Sequence, residues 1–134
     1  VKFHNPSNGY TEKGRKLDAL DKDELLYTIM IRQPDFVTKE VLDRAFENVR
    51  KKKPHPLLDK VKFDTIKDGL SVQILHIGSY DNEAESFQIM KDFITDNNLE
   101  IATLKHREIY LSDPRRVAAE KLKTVLRYRV KQKT

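Results

Sequence analysis

The sequence predicts an α+β protein with a mostly antiparallel sheet and its helices on one face. Helical apolar spacing occurs only twice, at 41–49 and 84–94. Strand-type segments are more numerous, and two of them flank the hairpin-type turn Lys67-Asp68-Gly69. The coarse order is strand, helix, strand, strand, helix, strand, strand, which is not the strict alternation of a parallel sheet. Helices on one face would leave the other face of the sheet open.

Each element has its own warrant. Residues 1–20 form an irregular lead-in, with the turn cluster Asn5-Pro6-Ser7-Asn8-Gly9 and the polar stretch Thr11–Lys16. Regular structure is expected from near Leu25. Leu25–Ile31 is rich in β-branched and aromatic residues and is bounded by Pro34, so it reads as a strand. Thr38 suits a helix N-cap. Val41, Leu42, Ala45, Phe46 and Val49 then share one helical face, and Phe46 is expected to be buried against the sheet. Lys51-Lys52-Lys53 sit where cations favour the helix dipole, and Pro54 stops the helix. Val61–Ile66 alternates as a short strand, and Leu70–Ile77 follows as another. Gly78–Asn82 is a turn in which Asp81 or Asn82 caps the next helix. Ala84, Phe87, Met90 and Ile94 form that helix's apolar stripe, and Asn97-Asn98 ends it. A strand over 103–112, a turn opened by Asp113-Pro114, a strand over Leu122–Val130 and a frayed basic tail complete the chain.

Composition bounds the function. At 134 residues, 38% hydrophobic and 35% charged, the chain suits one modest domain. It has no cysteine, which removes disulfides, thiol catalysis and thiolate-bound zinc. No apolar run approaches the ~18 residues of a membrane span, and the start Val-Lys-Phe-His-Asn-Pro is not a signal peptide. A cytoplasmic location is compatible with this. The first residue is not Met, which fits a chain that begins part-way through a longer protein. Net charge is +5 and the pI is near 9.3. The basic residues gather at helix ends and the tail, with no aromatic stacking strip, which argues against nucleic acid as the partner. The four histidines lack metal-ligand spacing, and no glycine-rich phosphate loop is present. No cofactor or metal is expected.

The run His-Arg-Glu-Ile-Tyr-Leu-Ser-Asp-Pro at 106–114 is the most informative. As a strand it sends His106, Glu108 and Tyr110 to one face and Arg107, Ile109 and Leu111 to the other. The second set suits a core, so Glu108 and Tyr110 are expected on the open face. Glu in mid-strand between an imidazole and a phenol is a candidate binding or catalytic group. The plainer alternative is a solvated sheet face. His76 shares a face with Val72 and Ile74 and reads either as a packed, hydrogen-bonded residue or as a ligand contact. Tyr27, Tyr80 and Tyr128 suit a cleft, a core or a rim. Ser79 and Ser112 flank turns and read as caps rather than nucleophiles.

These segments resemble a known family. Leu-Tyr-Thr-Ile-Met-Ile-Arg-Gln-Pro-Asp-Phe at 26–36, His76-Ile-Gly-Ser-Tyr-Asp81, the run at 106–114 and Glu-Lys-Leu-Lys-Thr at 120–124 are similar to the GyrI-like (gyrase-inhibitor-like) small-molecule-binding family. The resemblance covers roughly residues 21–131. It implies strand–helix–strand–strand modules, paired in a curved sheet around a ligand cleft. Residues 58–131 resemble one complete module, while 21–36 resemble only the last strand of another. It implies a glutamate in the cleft that binds cationic ligands or acts in hydrolysis, at the position of Glu108, with Tyr110 among the surrounding aromatics. The chain lacks Trp, which is common in such clefts.

Two functions are therefore expected to compete. One is a binder of amphipathic, cationic aromatic small molecules, with a detoxifying or sensing role, in which Glu108, Tyr110, His76, His106, Tyr27 and Tyr80 line the site. The other is a hydrolase of electrophilic, cyclopropane-bearing small molecules, with Glu108 as general base and Tyr110 polarising an oxygen. A third class, a DNA-interaction or gyrase-inhibiting protein, rests on the basic balance and family analogy alone. A half-built cleft also predicts a homodimer or a completing N-terminal segment.

Overall fold

The computed structural model describes residues 2–4, as a strand, and residues 26–134. The class is α+β. Among the described residues, five strands, β1 (Lys2–His4), β2 (Tyr27–Ile29), β3 (Ser71–Ile77), β4 (Leu99–Tyr110) and β5 (Lys123–Gln132), form one sheet in the order β2-β1-β4-β5-β3. Every neighbouring pair is antiparallel. The α-helices among the described residues are α1 (Lys39–Lys52) and α2 (Glu83–Asp96). β3, α2, β4 and β5 make one complete strand–helix–strand–strand module.

The alternation of β5 organises the core. Thr124, Leu126, Tyr128 and Val130 are buried, while Arg127 and Arg129 point the other way. Leu126 pairs with Ile74 on one side and Glu108 on the other, and Tyr128 with Val72 and His106. Cross-strand partners share a face. Phe87, Met90 and Ile94 of α2 pack onto that face, each no more than 3% exposed.

A β-bulge decides what β4 presents to this core. Leu99–Ile101 pairs with Val130–Gln132, and His106–Tyr110 pairs with Thr124–Tyr128. Residues 102–105 thus oppose Arg129 alone. Ile101 packs against the core. Unbroken period-2 pairing from Ile101 would turn Arg107 inward. The bulge shifts the phase and turns His106, Glu108 and Tyr110 inward instead. The expected assignment of faces is therefore reversed. Glu108 and Tyr110 lie on the face that α2 covers, and Arg107, Ile109 and Leu111 lie on the outer one, with Leu111 58% exposed.

Residues 31–67 form a separate compact unit. Thr38 caps α1 by accepting from the Val41 amide at 3.3 Å, and Arg50, Lys51 and Lys52 occupy its last turn. No residue of this unit is buried, and Phe46 is only half-buried, not the core residue expected. The expected strand at 61–66 does not form. Its backbone has no ladder partner, and Val61, Phe63 and Ile66 are exposed. Three further expectations change. β1 lies inside the supposed irregular lead-in, whose remainder, with Asn5–Lys16, falls outside the described residues. Ala84 is exposed, and Glu83 and Ser86 take the buried positions on α2. The turn before α2 is capped by Ser79, which accepts from the Asp81 amide, and not by Asp81 or Asn82 side chains.

Candidate functional site

Glu108 sits near the C-terminal end of β4, 3% exposed, opposite the fully buried Leu126. The Tyr110 hydroxyl donates to Glu108 Oε2 at 2.6 Å. His106 Nε2 lies 3.1 Å from Oε1 and, toward an ionised carboxylate, donates. All three side chains come from one strand at i, i+2 and i+4 on one face, so the triad is a direct product of strand geometry.

Rings from other elements fix this triad. Phe87 of α2 meets His106 edge-on, with centroids 4.8 Å apart at 71°. Tyr128 of β5 lies 5.9 Å from the same imidazole. Tyr80, from the turn before α2, stands edge-on to Tyr110 with centroids 5.6 Å apart. His106 is 1% exposed and Tyr110 is 37% exposed, so the site opens toward solvent at the Tyr110 ring.

The electrostatics follow from burial. Loss of water, the bond to Glu108 and the charges of Glu108 and Glu83 push the Tyr110 phenol well above the ordinary tyrosine value. Burial first, then Glu83, Glu108 and Asp113, raises that of Tyr80. Both phenols therefore stay protonated and remain hydrogen-bond donors over a buried carboxylate.

The other expected site residues lie differently. His76 Nε2 donates to the Ser79 carbonyl at 2.8 Å. Its Nδ1 then accepts from the Ser86 hydroxyl at 2.8 Å in the neutral ring. It ties the end of β3 to α2, a packed role made feasible by Gly78, whose φ of +136° suits glycine. Tyr27 shares the His106 face through the pairing Tyr27–His4–His106, but it lies two strands away on β2 and is 52% exposed.

Three contributors escaped the sequence reading of the site. Phe87 reads as core and Tyr128 as undecided, yet both hold His106. Glu83 reads as a first-turn dipole residue, yet it is 8% exposed and its charge reaches both phenols. Its spacing to Phe87, Met90 and Ile94 is that of one helical face, and this was the available signal. Among the described residues, no three His, Asp or Glu side chains form a group able to hold a metal.

A buried carboxylate bonded to an imidazole and a phenol, and open to solvent at the Tyr110 ring, is a candidate ligand-binding group. The comparisons agree. The GyrI-like small molecule binding domain family matches residues 9–131, and the chain belongs to it. Among solved structures, an uncharacterized conserved protein from Listeria innocua is similar at 39% identity and TM-score 0.81, over 97% of this chain and 62% of that one. Two hydrolases from Listeria innocua are similar at 38% and 35% identity, with TM-scores of 0.79 and 0.76. Each alignment covers 97% of this chain, and 62% and 60% respectively of the hydrolase. This chain thus spans less than two thirds of the length of these relatives. No curated protein matches.

Proposed function

We propose that the chain binds amphipathic, cationic aromatic small molecules at the Glu108 site, in a detoxifying or sensing role in the cytoplasm. The carrying observation is the buried Glu108 carboxylate beneath the Tyr80–Tyr110 pair. A flat cation resting on the exposed Tyr110 ring would meet its negative face, with the full charge of Glu108 behind it. His106 orients the carboxylate. Tyr27, with Ile29, extends the same sheet face as a rim. His76 supports the turn that carries Tyr80, and a second copy or an N-terminal segment would add the facing wall.

The test is a fluorescence titration with a cationic aromatic dye and a neutral dye of equal size. Saturable binding of the cation alone supports the reading. Equal affinity for both dyes removes Glu108 from it.

The similarity to two hydrolases supports a second reading. Glu108 would then act as general base on water, and Tyr110, held protonated, would donate to a developing oxyanion. Chromatography of a cyclopropane-bearing electrophile separates the readings, because a binder returns the compound unchanged and a hydrolase consumes it.

A further inference from the structure

The outer face of the sheet carries a second charged centre, and the Glu108 site makes no use of it. Arg107 on β4 and Arg127 on β5 are direct cross-strand partners. Like charges in that relation repel. Asp68, from the turn before β3, bridges them. Its Oδ1 forms an ion pair with Arg107 Nη2 at 2.7 Å, and its Oδ2 accepts a hydrogen bond from Arg127 Nη1 at 2.7 Å. Arg127 Nε also donates to Gln73 at 2.9 Å. Two hydrogen bonds thus fix the Arg127 guanidinium, and the ion pair with Asp68 holds Arg107 beside it.

Charge remains unbalanced there. Arg129 follows Arg127 on the same face, and Lys105 closes the bulge beside Arg107. Neither has an acidic ion-pair partner among the described residues. Lys105, Arg107, Arg127 and Arg129 surround a cavity of about 20 Å³ that Asp68 also lines. Four cations thus face one carboxylate. Arg107 is 13% exposed at its side chain, and the loss of water weakens its hold on its proton. Arg127 and Arg129 act in the same direction, while Asp68 opposes them.

We propose that this cavity binds the phosphate group of a small molecule, either free phosphate or the terminal group of a phosphate monoester. The volume admits one oxygen-sized atom, since a water needs about 10–15 Å³. One phosphate oxygen enters between Arg107 and Arg129, and the remaining oxygens meet Arg129 and Lys105 at the rim. Guanidinium forks match such oxygens in pairs. Asp68 keeps Arg107 and Arg127 oriented whether the anion is present or not.

Calorimetric titration with inorganic phosphate at low ionic strength, against chloride of matched ionic strength, tests this. The wild type should bind one phosphate saturably. Its affinity should rise as the pH passes the second phosphate pKa, where the ion gains a second negative charge. The double variant Lys105→Gln/Arg129→Gln removes only exposed cations and leaves Asp68 with both partners. It should lose about tenfold or more in phosphate affinity, with melting temperature and cationic-dye binding unchanged. Lys121→Gln, an exposed cation elsewhere, should change nothing. A phosphate monoester that binds as phosphate does marks the ester group as the ligand, and binding of phosphate alone marks the free ion. Absence of saturable phosphate binding overturns the proposal. So does undiminished binding in the double variant, or displacement of phosphate by matched chloride. Binding of duplex DNA without phosphate binding also overturns it, because that outcome describes a diffuse polyanion surface.

Discussion

Burying a carboxylate costs several kcal/mol unless hydrogen bonds replace the lost water, and Glu108 receives such bonds from Tyr110 and His106. Glu108→Gln keeps the shape and removes the charge. It should weaken a cationic aromatic ligand by roughly 1–3 kcal/mol and a neutral one much less. Paired dye titrations of the two proteins check this. If the site hydrolyses its ligand, the same change should abolish turnover with binding retained. Tyr110 makes a separate prediction. Its pKa is raised in the folded protein above the unfolded value of about 10. Its contribution to stability is fully present below pH ~10 and is lost as the pH climbs toward the folded value, because the unfolded chain then binds fewer protons. The wild type should thus lose stability more steeply than Tyr110→Phe above pH ~10. Denaturant unfolding at stepped alkaline pH measures the two slopes, and identical slopes would show that Tyr110 does not titrate late.

The two helices differ in what they bury. α2 places Phe87, Met90 and Ile94 in the core, whereas α1 has no buried residue. Phe87→Ala should cost about 3–5 kcal/mol, through lost contact and a cavity beside His106. Phe46→Ala, at a half-buried ring, should cost only about 1–2 kcal/mol. Urea midpoints of the two variants give the comparison, and equal losses would contradict the burial difference. Phe87, Met90 and Ile94 of the α2 stripe were legible because helical period selects them directly, whereas Ala84 lies exposed beside that face. The faces of β4 were not, because Ile109 and Leu111 gave the other face the look of a core, whereas the bulge at 102–105 turned His106, Glu108 and Tyr110 inward. Glu83 was overlooked because a first-turn acid already has a sufficient reason to be there.

At the scale of the molecule, the chain divides into residues 31–67 and a unit built from the sheet and α2. A unit without buried residues opens at lower free energy than one with a core. Native-state hydrogen exchange should therefore show α1 amides exchanging well before those of α2 and β5. Matched protection in both helices would refute this. Among the described residues, no helix is long and apolar enough to cross a membrane.

The class, both helices, the alternation of β5 and the set His106, Glu108 and Tyr110 follow from the sequence by itself. Period and composition act locally, and three residues spaced by two on a strand must share a face. The family was also legible, since its motifs are short, contiguous and carried by this one chain. Only the tertiary structure decided which way that face points. Register between β4 and β5 depends on pairing residues far apart in sequence, and one bulge exchanges the two faces. The same is true of what did not form. Residues 61–66 have the pattern of a strand, but a strand exists only where a neighbour accepts its hydrogen bonds. Asp68 likewise reads as half of a turn signal, and only the fold brings it across Arg107 and Arg127.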